Sequence, residues 1–334
     1  MRLTALVDSP DHVCCRYRLR AFASAWAAAG YTLELLPRPA SWWDWCRFLR
    51  RRFDTLIIQR RLFSPWQLTL LRRRCRFLIF DFDDAVFLRD SYSRKAFASS
   101  RRVRWFRAMM QAADAVVAGN DFLRDHAARW THPERVRVIP TCVEVRNYPL
   151  ARHDNRVAVQ LAWIGSSSTL QGLEAVRPLW EAIGQQLPQL RLKLICDRIM
   201  RLDHLPILFC PWSEATEATE LATCDIGISW VPDDPWSRGK CALKVVQYLA
   251  AGLPVVVNPV GVQADLVGSA PIGFAAQTTE QWIAALGRLA QEPALRRQQG
   301  RTGRQLVEHD YSVTVGAARW LQLLDCLHAR ARGA

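Results

Sequence analysis

The chain is expected to fold as two doubly wound α/β domains, each a parallel sheet covered on both faces by helices. Three observations lead there. Short apolar runs alternate with amphipathic stretches through both halves of the sequence, which is the pattern of repeated βα units. The alternation breaks once, between Thr141 and Asn155, in a polar stretch that contains Pro149 and lacks any period. The length of 334 residues is long for one core and suits two of roughly 150 residues each.

The elements follow in order. Leu3 to Val7 reads as a strand. Arg18 to Ala29 carries a helical stripe of Leu19, Phe22 and Trp26 and is closed by Gly30. Strands are expected at Thr32 to Leu36, Thr55 to Gln59, Phe77 to Phe80, Ala115 to Ala118 and Val136 to Ile139. Helices are expected through Leu68 to Arg73, Arg101 to Ala113 and Asp121 to Trp130. A second series begins at Val159 to Ile164. It continues through Leu192 to Cys196, Leu208-Phe209, Ile226 to Trp230 and Val255 to Asn258. Amphipathic helices at Ile283 to Leu289 and Tyr311 to Ala329 close it. Buried parallel strands of this kind place ligand sites at their carboxyl ends.

Composition narrows the functional classes. Half the residues are apolar, and no repeat or low-complexity run stands out. No stretch reaches about 18 apolar residues, so no membrane-crossing helix is expected. The opening MRLTALVDSP reads as a first strand rather than a secretion signal, and ten cysteines are scattered without metal-like pairing. A cytoplasmic protein without a bound metal is expected. Basic residues outnumber acidic ones by 45 to 31, for a formal charge of +14, and only four are lysine. An Arg-favouring genome is one reading of that bias and an anionic partner is another. No nucleic-acid motif accompanies the charge and the arginines look spread over many faces, so nucleic acid is not expected as a partner.

The stretch SRGKCALKVVQYLAAGLPVVVNPVG, from Ser237 to Gly261, carries the clearest chemistry. A polar loop runs into a helix from about Ala242 to Ala251, which Gly252 ends, and Val255 to Val257 reads as a buried strand. Lys240 and Lys244 stand at the mouth and first turn of that helix. Cations there oppose the helix dipole, so they do little for helix stability. They suit an anion such as a diphosphate, docked on the unpaired N–H groups of Leu243 and Lys244. The alternative is that both lysines only solvate a loop and helix.

From here the chain resembles the family 4 glycosyltransferases, which have two Rossmann-like domains in the GT-B arrangement. The resemblance runs through CCRYRLRAFASAWAAAGY, LIFDFDDAVF, VVAGNDFL and VIPTCVE in the first half. In the second half it runs through LAWIGSSSTLQGLE, CDIGISWVPDDPWSRGK and KVVQYLAAGLPVVVNPVG. It implies an acceptor domain over 1–150, a nucleotide-sugar domain over 151–311, and a last segment, 312–334, that packs back on the first domain. It further implies a retaining transfer from a nucleotide-diphosphate sugar to a glycan or lipid-linked acceptor, with no cofactor. The donor set would be Gly165, Ser166, Lys240, Cys241, Ala242, Leu243, Lys244 and Gln247, with Trp212 beside the base.

The chain departs from the family at the motif itself. Where the family has two glutamates eight positions apart, this sequence has Gly239 and Gln247. Gln247 can still donate to and accept from a ribose diol, whereas Gly239 offers only backbone. A non-catalytic nucleotide-sugar binder therefore stands as the alternative to a transferase. The loop after the first strand of the second domain, Gly165-Ser166-Ser167-Ser168-Thr169, lacks the basic residue often found there. The cationic role then falls to Lys240 and Lys244, with Lys244 counted as catalytic.

In the first domain the acceptor set would be Arg16, Arg18, Asp83 and Asn120, with Asp84 as the catalytic carboxylate. Arg16 and Arg18 are expected to open a helix and grip an acceptor phosphate, or else to form an ordinary exposed helix start. Asp81, Asp83 and Asp84 are expected to follow a strand directly. Three readings of them stay open: a D-x-D metal site, polarisation of an acceptor hydroxyl, or helix capping with pairing to Arg89 or Arg94. Asn120 is a helix cap or an acceptor contact, and His12 is a lone loop histidine.

Two stretches interleave aromatic and basic residues: SWWDWCRFLRRRF from Ser41 to Phe53, and RRVRWFR from Arg101 to Arg107. On a helix the first sets an apolar stripe beside a cationic one, as in helices that lie on anionic membrane surfaces. Peripheral contact with the inner membrane face is expected on this reading. The other reading packs the tryptophans on the sheet.

Overall fold

The computed structural model describes residues 1–154 and 158–330, the side chain of Arg330 excepted. Residues 155–157 of the expected boundary stretch and 331–334 of the expected last segment lie outside the described residues. The chain divides into two compact units. One comprises Met1–Cys142, Asp234–Cys241 and the C-terminal stretch from Val313. The other comprises Val143–Asp233 and Ala242–Ser312.

In the first unit the elements run β1 (Arg2–Val7), α1 (Val13–Arg18), α2 (Ala23–Ala28), β2 (Thr32–Pro37), α3 (Trp42–Arg50) and β3 (Phe53–Gln59). They continue with α4 (Pro65–Arg72), β4 (Cys75–Phe82), α5 (Ser100–Ala112), β5 (Ala115–Ala118), α6 (Asp121–Ala128) and β6 (Val136–Val138). The six strands are parallel, in the order β2-β1-β3-β4-β5-β6. The order reverses between β1 and β3, and loops at such a switch point form a crevice at the carboxyl ends of the strands. One face of the sheet is covered by α3, α4, α5 and α6 through Phe48, Leu68, Leu71, Phe106, Met109 and Leu123. On the other face lie α2 and the last helix of the chain, where Trp26 and Trp320 meet edge-on with ring centroids 5.4 Å apart.

The second unit holds β7 (Val159–Ile164), α7 (Ser167–Ala175), α8 (Arg177–Gln186), β8 (Leu190–Cys196), β9 (Ile207–Pro211), α9 (Glu217–Ala222) and β10 (Ile226–Ser229). The short α10 (Pro235–Arg238) belongs to the first unit. Then come α11 (Leu243–Ala250), β11 (Val255–Val257), α12 (Val262–Ser269), β12 (Gly273–Ala275), α13 (Thr279–Gln291) and α14 (Pro293–Leu306). The last helix, α15 (Val313–Arg330), returns to the first unit. Strand order is β12-β11-β10-β7-β8-β9, again all parallel, with its switch point between β7 and β10. Trp180 of α8 and Trp282 of α13 lock one helical layer edge to face at 5.2 Å.

Two expectations are corrected. The single helix from Arg18 to Ala29 is in fact α1, a 3-10 turn and α2, broken at Leu19, whose φ of −132° is not helical. Arg16 and Arg18 therefore lie in the last turn of α1, where cations suit the dipole. The strand expected to end at Phe80 runs on to Phe82, so Asp81 sits inside the sheet, paired in register with Gln59 and Val117.

Candidate active site

In the first unit a buried tie fixes the floor of the crevice. Arg18, 1% exposed, donates through Nε to both carboxylate oxygens of Asp81 at 3.0 and 3.1 Å, and through Nη2 to Oδ1 at 2.5 Å. Its remaining nitrogen reaches the Ile139 carbonyl at 2.9 Å. Gln59 donates to Asp81 as well, at 3.3 Å, and to the Cys14 carbonyl at 3.2 Å. Burial pushes the Asp81 carboxyl upward and the Arg18 charge works against it. Arg18 is thus a structural counter-ion and not the phosphate grip expected of it. His12 caps α1 by accepting from the Cys14 N–H at 3.2 Å.

Asp83 and Asp84, on the loop after β4, are 12% and 16% exposed. Their partner is Arg60, at the carboxyl end of β3, and not Arg89 or Arg94. Arg60 approaches Asp84 at 2.5 Å and Asp83 at 3.5 Å, and it donates to Cys14 Sγ. Arg89 spends its guanidinium on the carbonyls of Ala96 and Ala98. Arg60 adopts a left-handed backbone, φ 59°, which is uncommon for a residue with a long side chain. Burial raises the Asp84 carboxyl against the pull of Arg60 and Lys240. For Asp83 burial acts in the same sense, but Arg60 and Arg18 outweigh it and hold the group below its ordinary range. Arg60 takes Asp84 Oδ2, while Asp83 Oδ1 has no hydrogen-bond partner among the described residues. Among the described residues no group of three His, Cys, Asp or Glu side chains is placed to hold a metal ion.

The segment Asp234–Cys241 lies on this crevice. Asp234 caps α10 through the Ser237 N–H at 2.7 Å, and the hydroxyls of Ser91 and Ser237 meet at 3.1 Å. Asn120 caps α6 by accepting from Leu123 N–H at 2.9 Å. It also donates to the carbonyls of Gly239 and Lys240 at 3.0 and 3.2 Å. Cys241, 8% exposed, donates its thiol to the Asp83 carbonyl at 3.3 Å. Lys240 Nζ stands 4.0 Å from Asp84 and 6.0 Å over the Trp236 ring. Lys240 and Cys241, expected in the nucleotide-sugar domain, belong instead to the first unit.

In the second unit the site is built at the switch point. Ala242 has a left-handed backbone, φ 51°, and α11 begins directly after it with no side-chain cap. The backbone N–H groups of its first turn point along the axis out of the helix end. Lys244 Nζ lies 4.2 Å over the Trp163 ring and 3.2 Å from Thr169 Oγ1. Gly165 makes this possible: a Cβ there would come within 2.6 Å of Thr169 Oγ1, 2.7 Å of the Trp163 ring and 2.9 Å of the Lys244 stem. Ser166 stands at the N-cap position of α7 without a side-chain cap bond, and its hydroxyl meets that of Ser168 at 2.8 Å. Asp197, from the loop after β8, accepts from Ser167 N–H at 2.5 Å and from its hydroxyl at 2.8 Å. A carboxylate thus already sits on the first turn of α7, and Ser167 holds it below its ordinary range.

Gln247 is 3% exposed and donates to the Tyr148 hydroxyl at 3.1 Å. Trp212 is 41% exposed, with its indole N–H on Glu217 at 2.8 Å. Sequence reasoning missed Arg60, Cys14 and Gln59, and it expected the Cys196-Asp197 loop beside a base, whereas Asp197 is bonded to Ser167. A polar Gln at the end of the apolar run LII was the available signal for the first crevice.

No protein-family model matches the chain, and no curated protein is similar to it in sequence. Solved structures are. Sucrose-phosphate synthase from Thermosynechococcus elongatus superposes with a TM-score of 0.75 at 16% identity, covering 98% of this chain and 99% of that one. HepE from Anabaena, in complex with UDP and glucose, gives 0.67 at 14% identity over 98% and 100%. WaaG, a glycosyltransferase involved in lipopolysaccharide biosynthesis, gives 0.67 at 14% identity over 94% and 97%. At such identities the likeness is one of fold. The chain has the GT-B fold, two Rossmann-like doubly wound parallel sheets, which these glycosyltransferase structures share.

Proposed function

We propose that this protein is a retaining glycosyltransferase of the family 4 type. In this reading it moves a sugar from a nucleotide-diphosphate sugar to a glycan or lipid-linked acceptor, without a metal ion, at the cytoplasmic face of an anionic membrane. The observation that carries it is Lys244. Its ammonium draws the first turns of α7 and α11 toward one cation, held by Trp163 and Thr169 and admitted by Gly165. A fixed cation at the positive end of a helix suits a diphosphate that gains negative charge as it departs, and such preorganised charge is worth most in a dry site. HepE, of the same fold, has been solved with UDP-glucose.

The first unit then presents the acceptor. Asp84, with its proton affinity raised by burial, is the group that hydrogen-bonds the attacking hydroxyl, and Arg60 and Lys240 fix its orientation. Asp83 and Arg16 complete the acceptor side.

Gly239 and Gln247 favour a second reading, a nucleotide-sugar binder without turnover. Gly239 has no side chain to touch a sugar, and Gln247 is engaged with Tyr148. Incubation with UDP-, GDP- and ADP-sugars, with release of nucleoside diphosphate as the readout, separates the two. Release that disappears in Asp84→Asn and Lys244→Ala supports transfer. Tight binding with no release for any donor supports the second reading.

A further inference from the structure

The excess positive charge is not spread over the chain. Residues 38–107 hold 18 of its 45 basic residues and only 6 of its 31 acidic ones, so 12 of the 14 net charges lie there. In the fold this stretch supplies α3, α4 and α5, three neighbouring helices of one layer that share the core through Phe48, Leu71 and Phe106. Most of the net charge therefore lies in this stretch of the first unit.

The same layer carries three of the four exposed tryptophans among the described residues. Trp42 and Trp43 open α3 and are 68% and 80% exposed; Trp66, in the first turn of α4, is 58% exposed. Helices that follow parallel strands all begin at the carboxyl end of the sheet, so these first turns lie at one end of the layer. A direct contact ties them together. Trp45, one turn into α3, packs edge-on against Phe63, two residues before α4, with centroids 5.5 Å apart. Trp45, Phe48 and Leu49 hold the inner face of α3 on the core, which leaves Trp42 and Trp43 outward. Arg38 and Arg61, on the loops that lead into α3 and α4, are exposed at the same end, as is Arg101 in the first turn of α5. Asp44, next to Trp43, is tied to Ser41 in the capping box of α3, and Asp8 faces Arg61.

We infer that this end of the α3–α4–α5 layer docks on a bilayer rich in anionic lipid, with Trp42, Trp43 and Trp66 seated at the headgroup level and the arginines on lipid phosphates. Exposed indoles clustered on one end with cations around them match that partner. Tryptophan prefers the interface between headgroup and acyl chain, and arginine gains from the negative surface potential. A nucleic-acid surface would use the charge but leaves three indoles at one tip without a role. The docked end is also the end where Arg60, Asp83 and Asp84 emerge from β3 and β4. The docking stands by itself; that it brings a lipid-linked acceptor to Asp84 rests on the proposed glycosyl transfer.

Flotation of the intact protein with vesicles tests this without any donor or turnover. The probes are phosphatidylcholine vesicles with and without about one third phosphatidylglycerol. The expected result is flotation with the anionic vesicles only, lost as salt rises. Affinity should fall about tenfold or more in Trp42→Ser/Trp43→Ser and measurably in Trp66→Ser. These exposed positions leave the fold intact, which an unchanged melting midpoint checks. A second variant, Arg38→Glu/Arg61→Glu, should weaken flotation while leaving the tryptophans in place. No flotation at low salt overturns the inference. Flotation indifferent to the tryptophan variants overturns it too, as does competition by random duplex DNA that binds the tryptophan variants as well as the wild type.

Discussion

Gly239 sits so close to Ala85 that a Cβ on it would lie 2.8 Å from the Ala85 methyl and 2.9 Å from its backbone nitrogen. Leu123 closes the third side at 3.2 Å. Gly239 is thus a glycine for a steric reason, since the segment around it is seated backbone to backbone. Its φ of −80° is ordinary, so space and not conformation excludes a side chain. Gly239→Ala should cost about 1–3 kcal/mol, because backbone cannot yield as a flexible side chain does. Gly239→Glu should cost more and should not create a sugar contact. Urea denaturation of both variants checks this, and a change below about 0.5 kcal/mol for Gly239→Ala would sink the steric account.

Asn120 reads two carbonyls of that segment while capping α6. Asn120→Asp keeps the cap acceptor but replaces a donor with a carboxylate facing two carbonyl oxygens. A destabilisation of about 1–3 kcal/mol is expected, larger than for loss of one exposed hydrogen bond. Hydrogen exchange should rise at residues 239–241 in this variant. Unchanged exchange there would mean that Asn120 does not hold the segment.

Arg18 and Asp81 are both within 1% of full burial. Arg18→Met leaves a buried carboxylate without its counter-ion and should cost about 3–5 kcal/mol, whereas Arg18→Met with Asp81→Leu should recover most of it. Equal losses in the single and double variants, read from denaturant midpoints, would show that the pair does not act as a unit.

His153 supplies a pH dependence. It is buried, with Nε2 donating to the Gly252 carbonyl at 2.7 Å, and its Nδ1 has no hydrogen-bond partner among the described residues. Burial lowers its proton affinity, the Gly252 bond opposes that, Asp225 raises it and Arg296 and Arg297 lower it further. The unfolded chain then binds the proton more readily than the folded one, so stability is full above about pH 6.5 and falls as pH drops toward the lower folded value. His126, also lowered by burial, adds in the same direction. His153→Asn, which tolerates the left-handed backbone at φ 53°, should flatten the fall in melting midpoint between about pH 7 and 5. An unaltered slope in both His153→Asn and His126→Gln would contradict this assignment.

Much of this architecture was legible from local pattern, because buried parallel strands announce themselves as short apolar runs. The limits of that signal are visible at Asp81. The apolar run ends at Phe80, yet the strand continues, since Arg18 supplies a counter-charge from 63 positions away that no local pattern contains. The break at Leu19 was hidden by a helical stripe that spans it, and His12 is not a residue type that signals a helix start. Lys244 was readable because lysine is rare here and stands against the helix dipole. Arg60 was not, being one arginine among many, with a left-handed backbone that only the fold discloses. Gly239 looked like a lost side chain until Ala85 was placed beside it.

The central claim is that Lys244 and the first turn of α11 hold a nucleoside diphosphate. The most direct measurement is a thermal-shift titration of the wild type and Lys244→Ala with UDP, GDP and ADP, with CMP as a monophosphate control. A ligand that binds only the folded state raises the melting midpoint with its concentration. The account predicts a rise for at least one diphosphate, none for CMP, and loss of that rise in Lys244→Ala with the ligand-free midpoint kept. No shift with any diphosphate, or an equal shift in the variant, would contradict it.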